Sequence, residues 1–148
     1  MRKLFQIAIL FTSTLVLSQD SRVFDNLKVN SKILNQERSY AVYLPADYDS
    51  SERSYPVLYL LHGLGDDQTG WIKLGDVQRI TDESINSGIS TPMIIVMPDA
   101  NTGVTGYINY PDRDWFYEDF FFEELIPHVE SEYRIKKGKQ YRAISGLS

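Results

Sequence analysis

Gly146-Leu147-Ser148 follows a short apolar segment, and a serine in that setting can act as a nucleophile. In G-x-S-x-G elbows the serine sits on a tight strand-to-helix turn that lifts its hydroxyl out of the sheet. Small residues stand two positions to either side because the strained turn brings backbones close together. Residues 1–148 hold only the first half of that pattern, and G-x-S also occurs at ordinary turns. On the motif alone, Ser148 is either a nucleophile or a turn serine.

A second group, His62-Gly63-Leu64-Gly65, directly follows another apolar run. Serine hydrolases with such an elbow turn the chain here so that a backbone N–H faces the reacting carbonyl oxygen. One such donor is worth about 10²–10³-fold in turnover. The favoured donor is the N–H of Leu64, with His62, Gly63 and Gly65 supporting the turn. The same glycines would also suit a plain β-to-α turn, and the pairing with G-x-S two strands later favours the chemical reading. His62 could orient the loop or pack beneath it. His128, after Glu123-Glu124 and Pro127, reads as a half-exposed structural histidine. Neither is the expected base, because proteins with this elbow run in the order Ser, then Asp or Glu, then His. The acid and the histidine are therefore expected after residue 148.

Competing chemistries find less support. His62, Asp66, Asp67 and Asp99 offer nitrogen and oxygen ligands, but no H-E-x-x-H or EF-hand spacing accompanies them, so no metal and no cofactor is expected. Phosphate-binding glycine motifs are absent. A net charge of −5 argues against nucleic acid, which needs clustered Lys and Arg. The basic run at 134–139 reads as a solvated turn. With no cysteine, a thiol nucleophile and Cys-ligated zinc are excluded. Tyr107, Tyr110 and Trp115, with Phe116 and Tyr117, could line a groove for a sugar or a phenolic acyl group. They could equally be aromatic anchors that pin a loop to the core.

The elements that must position these groups read as follows. Segments 22–30 and 37–44 alternate apolar and polar residues around a Ser- and Asn-containing turn, predicting two antiparallel strands. Segments 55–61 and 93–97 are short continuous apolar runs, as in strands buried on both faces. A helix is predicted over 70–87 from Trp71, Leu74, Val77, Ile80 and Ile85, with Gly75 interrupting it. Residues 101–114 read as a long loop. Residues 115–133 read as a helix with Phe121, Leu125, Ile126 and Val129 inward and Pro127 bending it. A last short strand is predicted over 141–145. Antiparallel strands leading into buried strands that alternate with helices indicate an α/β fold with a mostly parallel sheet. At the N-terminus, Met1-Arg2-Lys3, an apolar stretch over 4–17 and Ser18 have the three-part layout of a secretory signal peptide. Residues 1–18 are therefore set apart from the domain at 19–148. Export to the periplasm or medium is expected, without a stable membrane anchor.

Taken together, YPVLYLLHGLGDDQTGW, MIIVMPDAN, FEELIPHVESEYRI and YRAISGLS resemble the putative-esterase family of α/β hydrolases. That family includes esterase D, feruloyl and acetylxylan esterase domains, enterochelin-type esterases and mycolyltransferases. The resemblance runs from about residue 40 to 148 and implies the N-terminal half of an α/β-hydrolase fold. It implies that Ser148 is the nucleophile and that the N–H of Leu64 forms half of an oxyanion hole. The other half is expected from the residue after Ser148. The implied activity is hydrolysis of a carboxylic ester through an acyl-serine intermediate, without cofactor. Acetyl or feruloyl groups on polysaccharides, or similar small-molecule esters, are the implied substrates. The 148-residue chain itself, short of its base, is expected to be inert. Transfer to a sugar acceptor, and a non-catalytic carbohydrate-binding or scaffold module of the same fold, are the alternatives.

Overall fold

The computed structural model describes residues 20–100 and 106–147. The expected signal peptide and Ser148 lie outside the described residues, as does the 101–105 part of the expected loop. A five-stranded sheet is built from β1 (Arg22–Ser31), β2 (Gln36–Leu44), β3 (Val57–Leu61), β4 (Ile94–Pro98) and β7 (Arg142–Gly146), in the order β1-β2-β4-β3-β7. β1 and β2 pair antiparallel, and β2 is antiparallel to β4. β4, β3 and β7 run parallel. This is the expected α/β arrangement, an antiparallel entry leading into a parallel sheet flanked by helices.

Side-chain alternation explains why the inner strands are buried on both faces. Tyr40, Val42, Tyr59, Ile94 and Val96 point into one apolar cluster with Phe121, Leu125 and Val129. Ala41, Tyr43, Ile95 and Met97 point into the other, with Val77 and partly buried Trp71 and Ile85. β3 is shorter than the apolar run predicts. Tyr55 forms only an isolated bridge to Ile135, because the chain there is held by Arg134 to Lys136 rather than by a strand neighbour.

That contact also corrects the reading of 134–139 as a purely solvated turn. Ile135 is buried, and the Arg134 guanidinium packs over the Tyr48 ring while donating to the carbonyls of Tyr48 and Ser51.

Two helical predictions need revision. The 70–87 segment is split into α1 (Gly70–Lys73) and α2 (Val77–Asn86). The break has a local cause. Asp76 is left-handed at φ 47°, and Gly75 lies so close to Trp71 that a Cβ would sit 2.7 Å from the indole. In consequence Leu74 and Ile80 are exposed rather than buried, and α2 turns Val77, Thr81 and Ile85 inward at i, i+4 and i+8.

The second predicted helix begins two residues late. Trp115–Phe116 is β6, which pairs antiparallel with β5 (Asn109–Tyr110) around a 3₁₀ turn at Pro111–Arg113 and a left-handed Asp114. The helix then runs through α3 (Tyr117–Asp119), a π-helical stretch (Phe120–Leu125) and α4 (Ile126–Glu132). The widening precedes Pro127, which has no N–H to donate and whose ring would press on the carbonyl of residue 123 in a regular α-helix. Phe121, Leu125, Ile126 and Val129 are all buried, as their spacing predicts.

Candidate active site

Parallel pairing brings the two motif-bearing ends together. β3 and β7 align Leu61 with Gly146, and the Leu147 N–H donates to Leu61 O at 3.2 Å. The strands approach so closely that a Cβ on Gly146 would stand 2.9 Å from Leu61 O, so any side chain at position 146 would force the strands to shift. Residues 62–65 and residue 147 thus leave the sheet side by side.

The turn after β3 is fixed by hydrogen bonds. The Asp66 N–H donates to Gly63 O at 3.4 Å, and Gly65 has φ 77°. A four-residue turn with that bond and a left-handed third residue is type II, which places Leu64 second. The Gly63 carbonyl also lies 2.9 Å from His62 Nδ1. Every peptide bond among the described residues is trans. In a trans unit the N–H points opposite to the carbonyl of the same plane. With Gly63 O held toward His62 and Asp66, the Leu64 N–H is aimed outward. The Leu64 side chain is 81% exposed and takes no part in the anchoring.

His62 is the buried pivot of this turn, only 2% exposed. Its Nε2 lies 3.1 Å from the Ala100 nitrogen, at the end of β4. A neutral ring with the proton on Nδ1 satisfies both contacts, donating to Gly63 O and accepting the Ala100 N–H. Asp99 Oδ1 stands 3.5 Å from Nε2, so a second proton there would exchange the Ala100 bond for an ion pair. Burial opposes a charge on the ring. The Asp99 carboxylate, the Gly63 carbonyl and Asp66 outweigh it and raise the His62 pKa above its ordinary 6.5.

Aromatic residues form the floor. The His62 N–H donates to the Tyr107 hydroxyl at 2.8 Å, and the two rings lie 5.4 Å apart. Burial pushes the Tyr107 phenol well up, so it remains a neutral hydrogen-bonding group. The Tyr107 ring meets Tyr117 edge-on, and Trp115 stacks on Tyr117. Trp115 is 6% exposed and its Nε1–H donates to Gly106 O at 2.8 Å. Trp115 thus serves as an anchor for this segment. Tyr110 is half-buried beneath the Arg113 guanidinium and is not brought to the turn. Of the expected groove residues, Tyr107 lines a pocket of about 210 Å3 shared with Leu61, Phe121 and Ile144. A pocket of about 240 Å3 abuts the turn itself, walled by His62, Gly63, Asp66, Trp71, Leu74 and Leu147.

Two residues that the motifs do not reveal complete the support. Arg38, 7% exposed, donates from Nη2 to both Asp99 O (2.8 Å) and Asp99 Oδ2 (2.9 Å), and its guanidinium lies over the Trp115 ring. The Tyr117 hydroxyl also donates to Asp99 O. Strand parity carries a signal for Arg38. It is in phase with Tyr40, Val42 and Leu44 and therefore faces inward, where a cation requires an anionic partner. Trp71 fits the helical apolar spacing, and its Nε1–H also donates to Leu61 O, one residue before the turn. His128 meets the Tyr40 hydroxyl at 3.0 Å and packs edge-on against that ring, a contact that ties α4 to β2. Among the described residues, no group of three or more His, Cys, Asp or Glu is placed to hold a metal ion.

The family model described as "Putative esterase" matches residues 31–148. The chain is 38% identical over 113 residues to Esterase Rv1288 of Mycobacterium tuberculosis, covering 72% of this chain and 23% of that protein. It is 35% identical over 115 residues to an endo-1,4-beta-xylanase/feruloyl esterase of Xylanibacter ruminicola, covering 72% of this chain and 15% of that protein. Among solved structures, a ferulic acid esterase superposes with a TM-score of 0.83 at 39% identity, covering 88% of this chain and 51% of the other. The chain thus spans about half the length of that solved relative and less than a quarter of the two longer proteins.

Proposed function

Because the chain belongs to the Putative esterase family, with the α/β-hydrolase fold, we propose that its protein hydrolyses carboxylic esters through an acyl-serine intermediate formed on Ser148. Ser148 Oγ attacks the ester carbonyl as its proton passes to a histidine base contributed from beyond residue 148. The Leu64 N–H meets the developing oxyanion, the alcohol departs with the proton, and water repeats the sequence to release the acid. The observation that carries this reading is the anchored Gly63–Leu64 peptide, carbonyl inward and N–H outward, at the end of a strand paired with the one leading to Ser148.

The substrate proposed is an O-acyl ester, acetyl or feruloyl, on a polysaccharide or a similar small molecule. Support comes from two relatives that are named for feruloyl or ferulic acid ester cleavage. The apolar character of the pockets beside the turn accords with an acyl group. Action outside the cytoplasm is part of the proposal, supported by the three-part layout of the N-terminus. The test uses the full-length protein with p-nitrophenyl acetate, methyl ferulate and a fluorophosphonate probe. Wild type should hydrolyse at least one ester and label rapidly, and Ser148→Ala should do neither. Hydrolysis that survives Ser148→Ala would refute the mechanism. A wild type that neither hydrolyses nor labels would favour a binding module.

A further inference from the structure

We propose that Arg38 and Asp99 are positioning residues that set the direction of the Leu64 N–H through Ala100, His62 and Gly63, and this rests on the esterase reading above. The chain of contacts is continuous and crosses three strands. Arg38 on β2 grips residue 99 at two points, its carbonyl and its carboxylate. Residue 99 immediately precedes Ala100, whose N–H donates to His62 Nε2. His62 Nδ1 in turn meets the Gly63 carbonyl. The opposite edge of that same peptide plane is the Leu64 N–H. A rotation of residue 99 therefore turns the imidazole, and a turned imidazole re-aims the peptide.

The grip on Asp99 has a second consequence. Arg38 engages Oδ2 and leaves Oδ1 3.5 Å from His62 Nε2, beyond the 3.1 Å of the Ala100 contact. With Arg38 gone, the cation that holds Oδ2 is lost, and the pull of the carboxylate on a proton at His62 Nε2, 3.5 Å from Oδ1, is no longer opposed. A proton on Nε2 ends its role as acceptor for Ala100, and the anchor on that side is lost. The charged and titratable groups facing His62 are Asp99 from the end of β4, Asp66 from the turn itself and the Tyr107 hydroxyl from the segment before β5. Arg38 itself meets Asp99 from β2.

Arg38 touches no reacting atom, so the test needs readouts that a merely structural arginine would not move. In the full-length protein, Arg38→Met, Arg38→Lys and the charge-neutral Arg38→Met/Asp99→Asn pair are compared with wild type. Each is normalised to sites titrated by a fluorophosphonate, so only folded, reactive enzyme is counted. The expected result for Arg38→Met is a kcat lowered about 10- to 100-fold with KM within about twofold, the scale of a misaimed oxyanion donor. At a pH above the folded pKa of wild-type His62, where its ring is neutral, nitrogen-15 shifts of Arg38→Met should move toward imidazolium. Arg38→Lys, which keeps a cation, should recover the ring state in part. The double variant leaves no orphaned buried charge and keeps the test open if Arg38→Met does not fold. It should show the same kcat loss with a neutral His62. Unchanged kcat per titrated site together with unchanged His62 shifts would overturn the proposal. A wild type without hydrolysis would fail the esterase reading instead, and the nitrogen shifts would still report whether Arg38 controls His62.

Discussion

Leu64→Pro isolates the backbone donor on which the proposed chemistry depends. An oxyanion-hole N–H can rarely be removed by substitution without disturbing the chain, but this turn permits it. Leu64 is the second residue of a type II turn whose third residue, Gly65, has φ 77°, and proline is favoured at that second position. The turn's own hydrogen bond runs from Asp66 N to Gly63 O and does not use the Leu64 nitrogen. The side chain is 81% exposed, so its loss removes little packing. Proline at a compatible site stabilises by about 0.4–1 kcal/mol through the unfolded chain, so Tm should hold or rise. The catalytic cost should be that of one lost donor, about 10²–10³ in kcat or roughly 2.7–4 kcal/mol. Leu64→Ala keeps the N–H and serves as control, with stability within about 0.5 kcal/mol of wild type. Steady-state hydrolysis of p-nitrophenyl acetate by titrated full-length enzyme is the assay. If Leu64→Pro folds and its kcat lies within threefold of Leu64→Ala, the Leu64 N–H is not the oxyanion donor.

Further consequences can be checked by denaturation. Gly146→Ala forces a Cβ to within 2.9 Å of the Leu61 carbonyl and should cost about 1–3 kcal/mol in urea melts, the scale of overpacking. Trp115→Phe keeps the aromatic stack and leaves the Gly106 carbonyl without its 2.8 Å donor, for a loss of about 1–3 kcal/mol. The raised pKa of His62 implies a pH dependence. Its contribution to stability is fully present below the unfolded value near 6.5 and is lost as pH rises through the higher folded value. Urea midpoints measured across that window should fall with pH in wild type, and His62→Gln should flatten the slope.

The strands and the site turn were legible in the sequence because both are short-range patterns. Alternation over 22–44 and continuous apolar runs before His62 and Asp99 follow directly from side-chain direction in a sheet. What the pattern misjudged was decided by contacts the sequence does not display. Trp115 and Phe116 fit the helical periodicity of 117–132, yet pairing with Asn109 and Tyr110 draws them into a hairpin. Leu74 and Ile80 fit an apolar stripe only if the helix is continuous, and Asp76 at φ 47° rotates the two halves apart. Arg38 was legible in principle, since parity put a cation among Tyr40, Val42 and Leu44. Its partner was not, because Asp99 lies 61 residues away and reads equally well as a loop acid.

The turn that presents Leu64 is held less by its own strand than by the segments after β4. The Ala100 N–H and the Tyr107 hydroxyl both reach His62 from that side, and Asp99 is held there by Arg38 and Tyr117. Gly65, left-handed at φ 77°, makes the turn possible but cannot choose where the Leu64 N–H points; a flexible turn would present that N–H only part of the time and gain correspondingly little in rate. Direction comes from a 2%-exposed imidazole whose two nitrogens are each committed to a backbone group. An aromatic floor of Tyr107, Tyr117 and Trp115 restrains the imidazole from below. On the proposed mechanism such a donor is oriented before substrate arrives, which is the condition under which one hydrogen bond lowers a barrier by several kcal/mol instead of about one. The buried Arg38–Asp99 pair makes sense on the same terms. Its desolvation cost gives little net stability, but it fixes one geometry at residue 99, and fixed geometry is what the turn requires.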